Sequence, residues 1–369
     1  VSGVKIAAVE THRLTVPLVK PFKTALRVLT VSETLVVKVR LDNDLVGYGA
    51  ASPTAVITGD TLGSIAGALN EVLTPLFIGQ DVTNYEAALT RLNSALVRNP
   101  SAKAALDMAI YDLIGQMYGA PLYKLLGGHK SMFETDITVS INRIDEMVAD
   151  ALRAVNDGFT MLKLKVGLNA SEDLDRVKGI RQAVGAAVKL RLDANQGWKA
   201  KDAIRVIRAM EDAGLDIELV EQPVKAHDIE GLKQVTDNVS TPIMADESVF
   251  SPEDALRVLS MRAVDLINIK LMKAGGIHNA LRINALAESA GVECMVGCMI
   301  ENKIGVTAAA HLAAAKSNIT RMDLDAPLLL TTEPIEGGIS FAGPKIVLPS
   351  SPGLGITEVR GSCSPPRHV

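Results

Sequence analysis

The stretch Lys189-Leu190-Arg191-Leu192-Asp193-Ala194-Asn195-Gln196-Gly197-Trp198 alternates apolar residues at Leu190 and Leu192, then stops at an acid. Residues two apart on a strand share a face, so Asp193 and Asn195 can point to one spot. The turn residues Gln196 and Gly197 follow at once. A short buried strand that ends in a carboxylate before a turn is how a barrel presents a metal ligand. One such ending says little; in this chain it recurs.

From Phe133 onward, strand-like runs alternate with helical ones. The runs cover 134–140, 161–166, 188–193, 217–221, 242–246, 265–270, 292–297 and 319–323. Segments between them, such as 200–213 and 252–261, are amphipathic. Eight βα-type repeats of about 25 residues predict a TIM-like barrel of α/β class. The runs are apolar on both faces apart from a few charges, as buried parallel strands should be. After the last run comes no regular helix but Ala326-Pro327 and a Gly/Pro-rich tail.

Upstream, a strand is expected over 4–16, with Ile6, Ala8 and Val16 as apolar anchors. Lys20-Pro21-Phe22-Lys23-Thr24 should break it, since Pro21 has no N–H and restricts its neighbour. A loop through Leu26, Arg27 and Val28 leads to a strand over 33–41, and Asp42-Asn43-Asp44 turns it into a third over 45–50. That is an antiparallel meander. Helical spacing follows over 61–74, 84–96 and 102–117. At 369 residues the chain exceeds what one core usually serves. The expected division is an α+β capping domain over 1–130, a barrel over 131–325, and a segment 326–369 returning to the cap. The loop around 20–30 could cover the barrel mouth.

Composition narrows the function classes. Hydrophobic residues at 48% against 22% charged describe an ordinary globular protein, not a disordered one. A net charge of -4, no basic run and only 3% aromatics leave nothing for nucleic-acid binding. No run reaches the ~18 apolar residues of a membrane span. Three cysteines (Cys294, Cys298, Cys363) are too few for a disulfide framework and point to a reducing, cytoplasmic setting. The chain does not begin with Met, so a removed leader stays open.

Active residues of a barrel lie at the C-terminal strand ends. Here strand two carries Lys163 and Lys165, strands three, four and five end in Asp193, Glu221 and Asp246, and strand six ends in Lys270. Strand eight ends in Asp323 and Asp325. Any single acid is most often a helix cap or a loop ion pair. Three on adjacent strands suit a hard divalent cation with oxygen ligands, Mg²⁺ first among them. Lys163 and Lys165 share a strand face. A solvent-facing strand would permit that, but a barrel strand has no such face, and burying two ammonium groups is costly. Crowding one ammonium against another, and near a cation, should depress a lysine pKa towards a working base. Lys270 lies four strands from Lys165. Two bases on opposite sides of a carboxylate held by the cation can remove a proton from either face of the adjacent carbon, a layout for inverting a stereocentre.

Asp323 and Asp325 could be further metal ligands, a tail ion-pair cluster, or an ammonium site; the last is preferred because the triad already has its ligands. Arg27 is either a solvated loop residue or a fork for a carboxylate. Cys298, Met299 and Ile300 follow strand seven and could line the pocket, with their N–H groups available to a carboxylate. His311 reads as a structural helix residue.

These residues resemble the enolase superfamily, in its muconate-lactonizing subgroup. The resemblance rests on Lys163-Leu164-Lys165, Asp193-Ala194-Asn195, Val220-Glu221-Gln222-Pro223, Ala245-Asp246-Glu247-Ser248 and Asn268-Ile269-Lys270. It spans 4–356 and implies a modified (β/α)7β barrel with an α+β cap. Met322-Asp323-Leu324-Asp325 is similar to the dipeptide epimerases, where the Asp pair grips the dipeptide ammonium. The segment 20–27 is similar to the specificity loop of the L-Ala-D/L-Glu epimerases, whose arginine meets the glutamate side chain. The resemblance implies Mg²⁺ on Asp193, Glu221 and Asp246, Lys165 and Lys270 as acid/base catalysts, and Lys163 as their aid. It also implies a homo-oligomer working on peptidoglycan-derived peptides. The mandelate-racemase subgroup would want a His at strand seven, where this chain has Cys298 and Met299. Two alternatives remain: an o-succinylbenzoate synthase or muconate-type cycloisomerase, which would leave Asp323 and Asp325 without a cationic group to bind, and a non-catalytic barrel binding protein. The tail 361–369 matches nothing recognised.

Overall fold

The computed structural model describes residues 3–360, so Cys363 and the tail 361–369 lie outside the described residues. Three antiparallel strands come first: β1 (Ile6–Lys23), β2 (Val28–Leu41) and β3 (Val46–Ala51), in the order β1-β2-β3. The apolar helix Pro100–Met117 packs on β3. Gly47 and Gly49 let it approach, because a Cβ at Gly49 would sit 1.8 Å from the Ala105 carbonyl oxygen.

The barrel strands are β5 (Ile137–Val139), β6 (Met161–Lys165), β7 (Lys189–Asp193), β8 (Ile217–Glu221), β9 (Ile243–Ala245), β10 (Leu266–Lys270), β11 (Glu293–Gly297) and β12 (Ile319–Asp323). They form one parallel eight-stranded sheet in sequence order. Helices follow the first seven, and β12 is followed only by the 3-10 turn Ala326–Leu329, so the architecture is (β/α)7β. Helix Ala200–Asp212 shows the local reason: it buries Ala203, Val206, Ile207 and Met210, one helical stripe. Where β12 meets β5, Asp136 N–H reaches Met322 O at 3.4 Å, Leu324 N–H donates to Thr135 Oγ1 at 2.8 Å, and buried Arg191 spans Asp136 (2.8 Å) and Met322 O (3.1 Å).

The structure corrects three expectations. The run 134–140 is two elements. Residues of β4 (Met132–Glu134) pair with β15 (Lys345–Val347), itself paired to β14 (Ser340–Ala342), and only Ile137–Val139 enters the barrel. Between them Asp136 turns inward to meet Arg191. Second, Pro21 does not end the first strand. β1 is an edge strand, where a missing N–H costs no ladder bond; the register with β2 merely shifts between Pro17 and Phe22. Third, the helix expected over 61–74 runs on to Phe77, with a wide π turn at Ala68–Leu73 ahead of Pro75, which cannot donate to the α ladder.

After β12 the chain bridges Leu330 to Leu18, forms the pair β13 (Ile335–Gly337) with β16 (Ile356–Val359), and passes Pro121 at Gly353. Leu354 N–H donates to Asp112 on the early helix at 2.7 Å. Among the described residues no helix is long and apolar enough to cross a membrane.

Candidate active site

Because the strands run in register, Lys165, Asp193 and Glu221 lie side by side on one rim (Lys165↔Asp193, Asp193↔Glu221). Glycines keep that rim compact. Gly167, at φ 104°, carries no Cβ that would meet the Ala194 carbonyl oxygen at 2.1 Å, so the turns after β6 and β7 stack backbone on backbone.

Asp193, Glu221 and Asp246 are fully buried, and one oxygen from each lies within 4.8 Å of the others. Four lysines lean into this cluster, one of them Lys273, whose Nζ is 2.7 Å from Asp246 Oδ1. Lys163 Nζ is 2.7 Å from Glu221 Oε2, 2.7 Å from Asp323 Oδ2 and 3.3 Å from Asp193 Oδ2. Lys165 Nζ is 2.6 Å from Asp193 Oδ2, with the Phe22 ring centroid at 5.8 Å. Lys270 Nζ is 2.7 Å from Asp246 Oδ2 and 3.9 Å from Glu221 Oε1. β6 and β10 stand four strands apart, so Lys165 and Lys270 approach the cluster from different sides.

The electrostatics follow from burial and these pairs. Burial alone would raise the Asp193 and Asp246 carboxyls; Lys165 and Lys163 beside the first, and Lys270 and Lys273 beside the second, hold both below the ordinary range. Glu221 goes the other way, to about 7, from burial and from neighbouring Asp193. Without a cation among the acids, Lys163 and Lys270 are raised, not depressed. Burial lowers each, but Asp323, Glu221 and Asp193 raise Lys163, and Asp246 and Glu221 raise Lys270. The carboxylates outweigh the crowding.

The donor set tests whether a cation fits. Every group offered is an oxygen, the three carboxylates stand at mutually repelling distances, and Asn268 braces Glu221 Oε1 at 2.7 Å. Nearby Asn195 Oδ1 and Glu247 Oε2 are buried without a hydrogen-bond partner. Buried acids converging in this way suit a hard divalent ion, whose charge would replace that of the lysines.

Above the cluster lies a pocket lined by Arg27, Lys165, Lys270, Cys298, Met299, Ile300, Asp323 and Asp325, which brings the expected residues together. Arg27 sits on the turn between β1 and β2. Thr24 Oγ1 accepts from the Leu26 and Arg27 N–H groups at 3.1 and 3.3 Å, which fixes the turn. The hairpin tip is moored to the barrel: Lys23 Nζ donates to Asn142 Oδ1 at 2.7 Å and Lys23 N–H to Ser140 Oγ at 3.2 Å. Burial lowers the Arg27 pKa to about 10, and no acid among the described residues offsets it. On the β12 side Asp323 is held at about 2, burial being outweighed by Lys163, Lys165 and Lys270. Asp325 is raised to about 6 by burial and by Asp323, while the Thr138 N–H grips its Oδ2 at 2.7 Å.

One expected role is corrected. The Met299 N–H is not free for a ligand, because it donates to Glu301 Oε1 at 2.9 Å. The pocket also contains Phe22, Ile57 and Thr138, which the sequence reading did not single out. They come from the strand-to-turn corner, a second loop of the early region, and the first barrel strand. His311 is buried in helix Lys303–Ala315 away from the pocket, and Cys294 and Cys298 are free thiols.

Two family profiles match the chain: Mandelate racemase / muconate lactonizing enzyme, N-terminal domain, over residues 7–127, and Enolase C-terminal domain-like, over 146–359. An L-Ala-D/L-Glu epimerase of Bacillus subtilis is 56% identical over 353 residues, 95% of this chain and 96% of the relative. The substrate-liganded structure of the L-Ala-D/L-Glu epimerase from that organism superposes with a TM-score of 0.96, covering 96% of this chain and 99% of its own. A dipeptide epimerase of Enterococcus faecalis, solved with Mg and L-Leu-L-Tyr, superposes at 0.92 with 47% identity, covering 96% and 100%. The chain belongs to the mandelate racemase and muconate lactonizing enzyme family of the enolase superfamily.

Proposed function

We propose that this protein is a Mg²⁺-dependent epimerase of dipeptides, with L-Ala-D/L-Glu as its substrate pair. One observation carries the choice of substrate: the pocket is lined both by a partly buried cation with no ion-pair partner among the described residues, Arg27 on the β1–β2 turn, and by a buried acidic pair beyond β12, Asp323 and Asp325. Lys165 and Lys270 line it too. A dipeptide that carries both a free ammonium and an acidic side chain matches that pair of charges. The similarity to an L-Ala-D/L-Glu epimerase supports the same reading.

In this reading the residues up to about 130 form the cap, and the barrel provides the chemistry. Asp193, Glu221 and Asp246 hold Mg²⁺, which supplies positive charge against the substrate carboxylate and the charge that develops beside it. Asp323 and Asp325 take the dipeptide ammonium. The Arg27 fork takes the side-chain carboxylate of the C-terminal residue. With both ends fixed, the α-carbon of that residue lies between Lys165 and Lys270. The neutral lysine of the two takes the α-proton, and the ammonium of the other delivers one to the opposite face. Lys163 adds positive charge beside the carboxylates. Phe22 and Ile57 close the pocket and limit water near the exposed carbanion. The pocket measures about 40 Å³ as it stands, too little for a dipeptide, so substrate entry needs the lining side chains or the turn 24–27 to shift.

The test is incubation with L-Ala-L-Glu and Mg²⁺ in deuterated water, following the Glu α-proton by NMR. Loss of that signal with L-Ala-D-Glu appearing is the expected result. Turnover of L-Leu-L-Tyr with L-Ala-L-Glu untouched would overturn the assignment of Arg27. No exchange with either dipeptide would overturn the epimerase reading.

A further inference from the structure

Among the three candidate cation ligands, Asp246 stands apart in how it is held. β9 is three residues long; its ladder with β8 ends at Glu221↔Met244 and that with β10 at Ile267↔Ala245. Asp193 and Glu221 are ladder partners of each other, but Asp246 lies one residue beyond the last pair. Its backbone is gripped by a side chain from the next strand end. Gln222 Oε1 accepts from the Asp246 N–H at 2.9 Å and from the Ser248 N–H at 3.1 Å. Gln222 Nε2 donates to Val224 O at 3.0 Å and to Ser248 Oγ at 2.8 Å. Ser248 in turn donates its proton to Ala226 O at 2.8 Å. The amide uses all four of its hydrogen-bonding positions and is fully buried.

The backbone of Gln222 carries the cost of this reach. Its φ is 37°, in the left-handed region, where a residue with a side chain persists only if its surroundings over-determine it. Its main chain is pinned on both sides, by Gln222 N–H to Met244 O at 2.9 Å and Gln196 N–H to Gln222 O at 2.8 Å. Gln222 directly follows Glu221. One residue therefore ties the backbone behind one acid of the cluster to the backbone of another, and through Gln196 to the turn that follows Asp193.

We propose that Gln222 is a positioning residue of the cation site, whose amide sets Asp246 relative to Glu221 where the strand ladder no longer does. This rests on the reading that Asp193, Glu221 and Asp246 hold a divalent cation. Gln222 touches neither substrate nor cation. Its loss lets Asp246 drift and weakens cation binding before it affects the proton transfer.

The experiment is Mg²⁺ binding by isothermal titration calorimetry without substrate, on the unaltered protein and on Gln222→Met and Gln222→Glu, with metal-free melting curves for each. Gln222→Met keeps the volume and removes the acceptor; it should bind Mg²⁺ about 10–100-fold more weakly, the usual effect of losing an outer-shell partner. Gln222→Glu keeps an acceptor for the Asp246 and Ser248 N–H groups and, with its buried carboxyl protonated so that the second oxygen donates to Val224 O, should stay closer to the unaltered protein. Turnover by Gln222→Met should recover as Mg²⁺ is raised. A folded Gln222→Met with unchanged Mg²⁺ affinity and a lowered melting temperature overturns the proposal, since the amide then only supports the loop. Where Gln222→Met does not fold, Ser248→Ala decides. It frees one arm of the amide, so weaker Mg²⁺ binding supports the proposal and unchanged binding overturns it. Failure of the unaltered protein to bind Mg²⁺ overturns the cation site itself, and the proposal with it.

Discussion

Lys163 Nζ hydrogen-bonds Asp323 Oδ2 at 2.7 Å, from β6 to β12 past the intervening β5. The same ammonium lies 2.7 Å from Glu221, so one cation joins the acid cluster to the Asp pair. These carboxylates are buried, and removing a partner from a buried ion pair costs about 3–5 kcal/mol. Lys163→Met should therefore melt well below the unaltered protein in chelator. Mg²⁺ should close much of that gap, because it restores charge where the ammonium was. Saturating metal at 100 times its dissociation constant is worth about 2.7 kcal/mol. A Mg²⁺-induced rise in melting temperature no larger than that of the unaltered protein would count against a cation among these acids.

Lys165 and Lys270 reach the pocket from strands four apart, so each should serve one face of the α-carbon. Removing either stops epimerisation in both directions, with a loss of at least about 100-fold, the low end for a positioned acid or base. Hydrogen exchange should split. Lys270→Ala should exchange the α-proton of one Glu epimer in deuterated water, and Lys165→Ala that of the other. If both variants exchange the same epimer, the two lysines do not face opposite sides.

Arg27 is a partly buried cation with no acid beside it among the described residues, which makes it costly in the free protein and useful with an acidic substrate. A hydrogen bond to a charged group contributes about 1.5–3 kcal/mol. Arg27→Met should lose roughly 10–150-fold in kcat/KM on L-Ala-L-Glu. On L-Ala-L-Leu it should change little, and its melting temperature should not fall. Equal losses on both dipeptides would show that Arg27 shapes the turn and does not read the side chain.

The acids and lysines were legible because a barrel repeats. One βα unit per step brings Asp193, Glu221 and Lys270 to the same rim, and alternation on a strand keeps Lys163 and Lys165 on one face. Asp246 was found by the same rhythm, although its strand stops at Ala245. What escaped depends on contacts between distant segments. Phe22 meets Lys165 only because β1 continues past Pro17 and Pro21, which local proline chemistry argues against. Thr138 grips Asp325 only because Met132–Glu134 leaves the barrel and pairs with a strand more than 200 residues later, which no local pattern encodes. Met299 looked available because nothing in the sequence says that Glu301 folds back onto its N–H.

His311 gives a test of stability that does not involve the pocket. It is fully buried, and its Nδ1 accepts the Tyr123 N–H at 2.9 Å, so a second proton on the ring would have to displace that bond. Burial lowers its pKa from 6.5 to about 3. Between those values the unfolded chain binds a proton that the folded one does not. The contribution is therefore present above 6.5 and is lost as pH falls towards 3. From pH 7 to pH 5 the loss from this residue is about 2 kcal/mol. Urea denaturation of the unaltered protein and of His311→Gln at both pH values isolates it, since the other histidines are common to both. The stability of His311→Gln should fall by about 2 kcal/mol less over this range, although the variant starts lower at pH 7 because its fit to Tyr123 is poorer. The same pH slope in both proteins would mean that the imidazole takes its proton without unfolding, and that the Tyr123 contact gives way first.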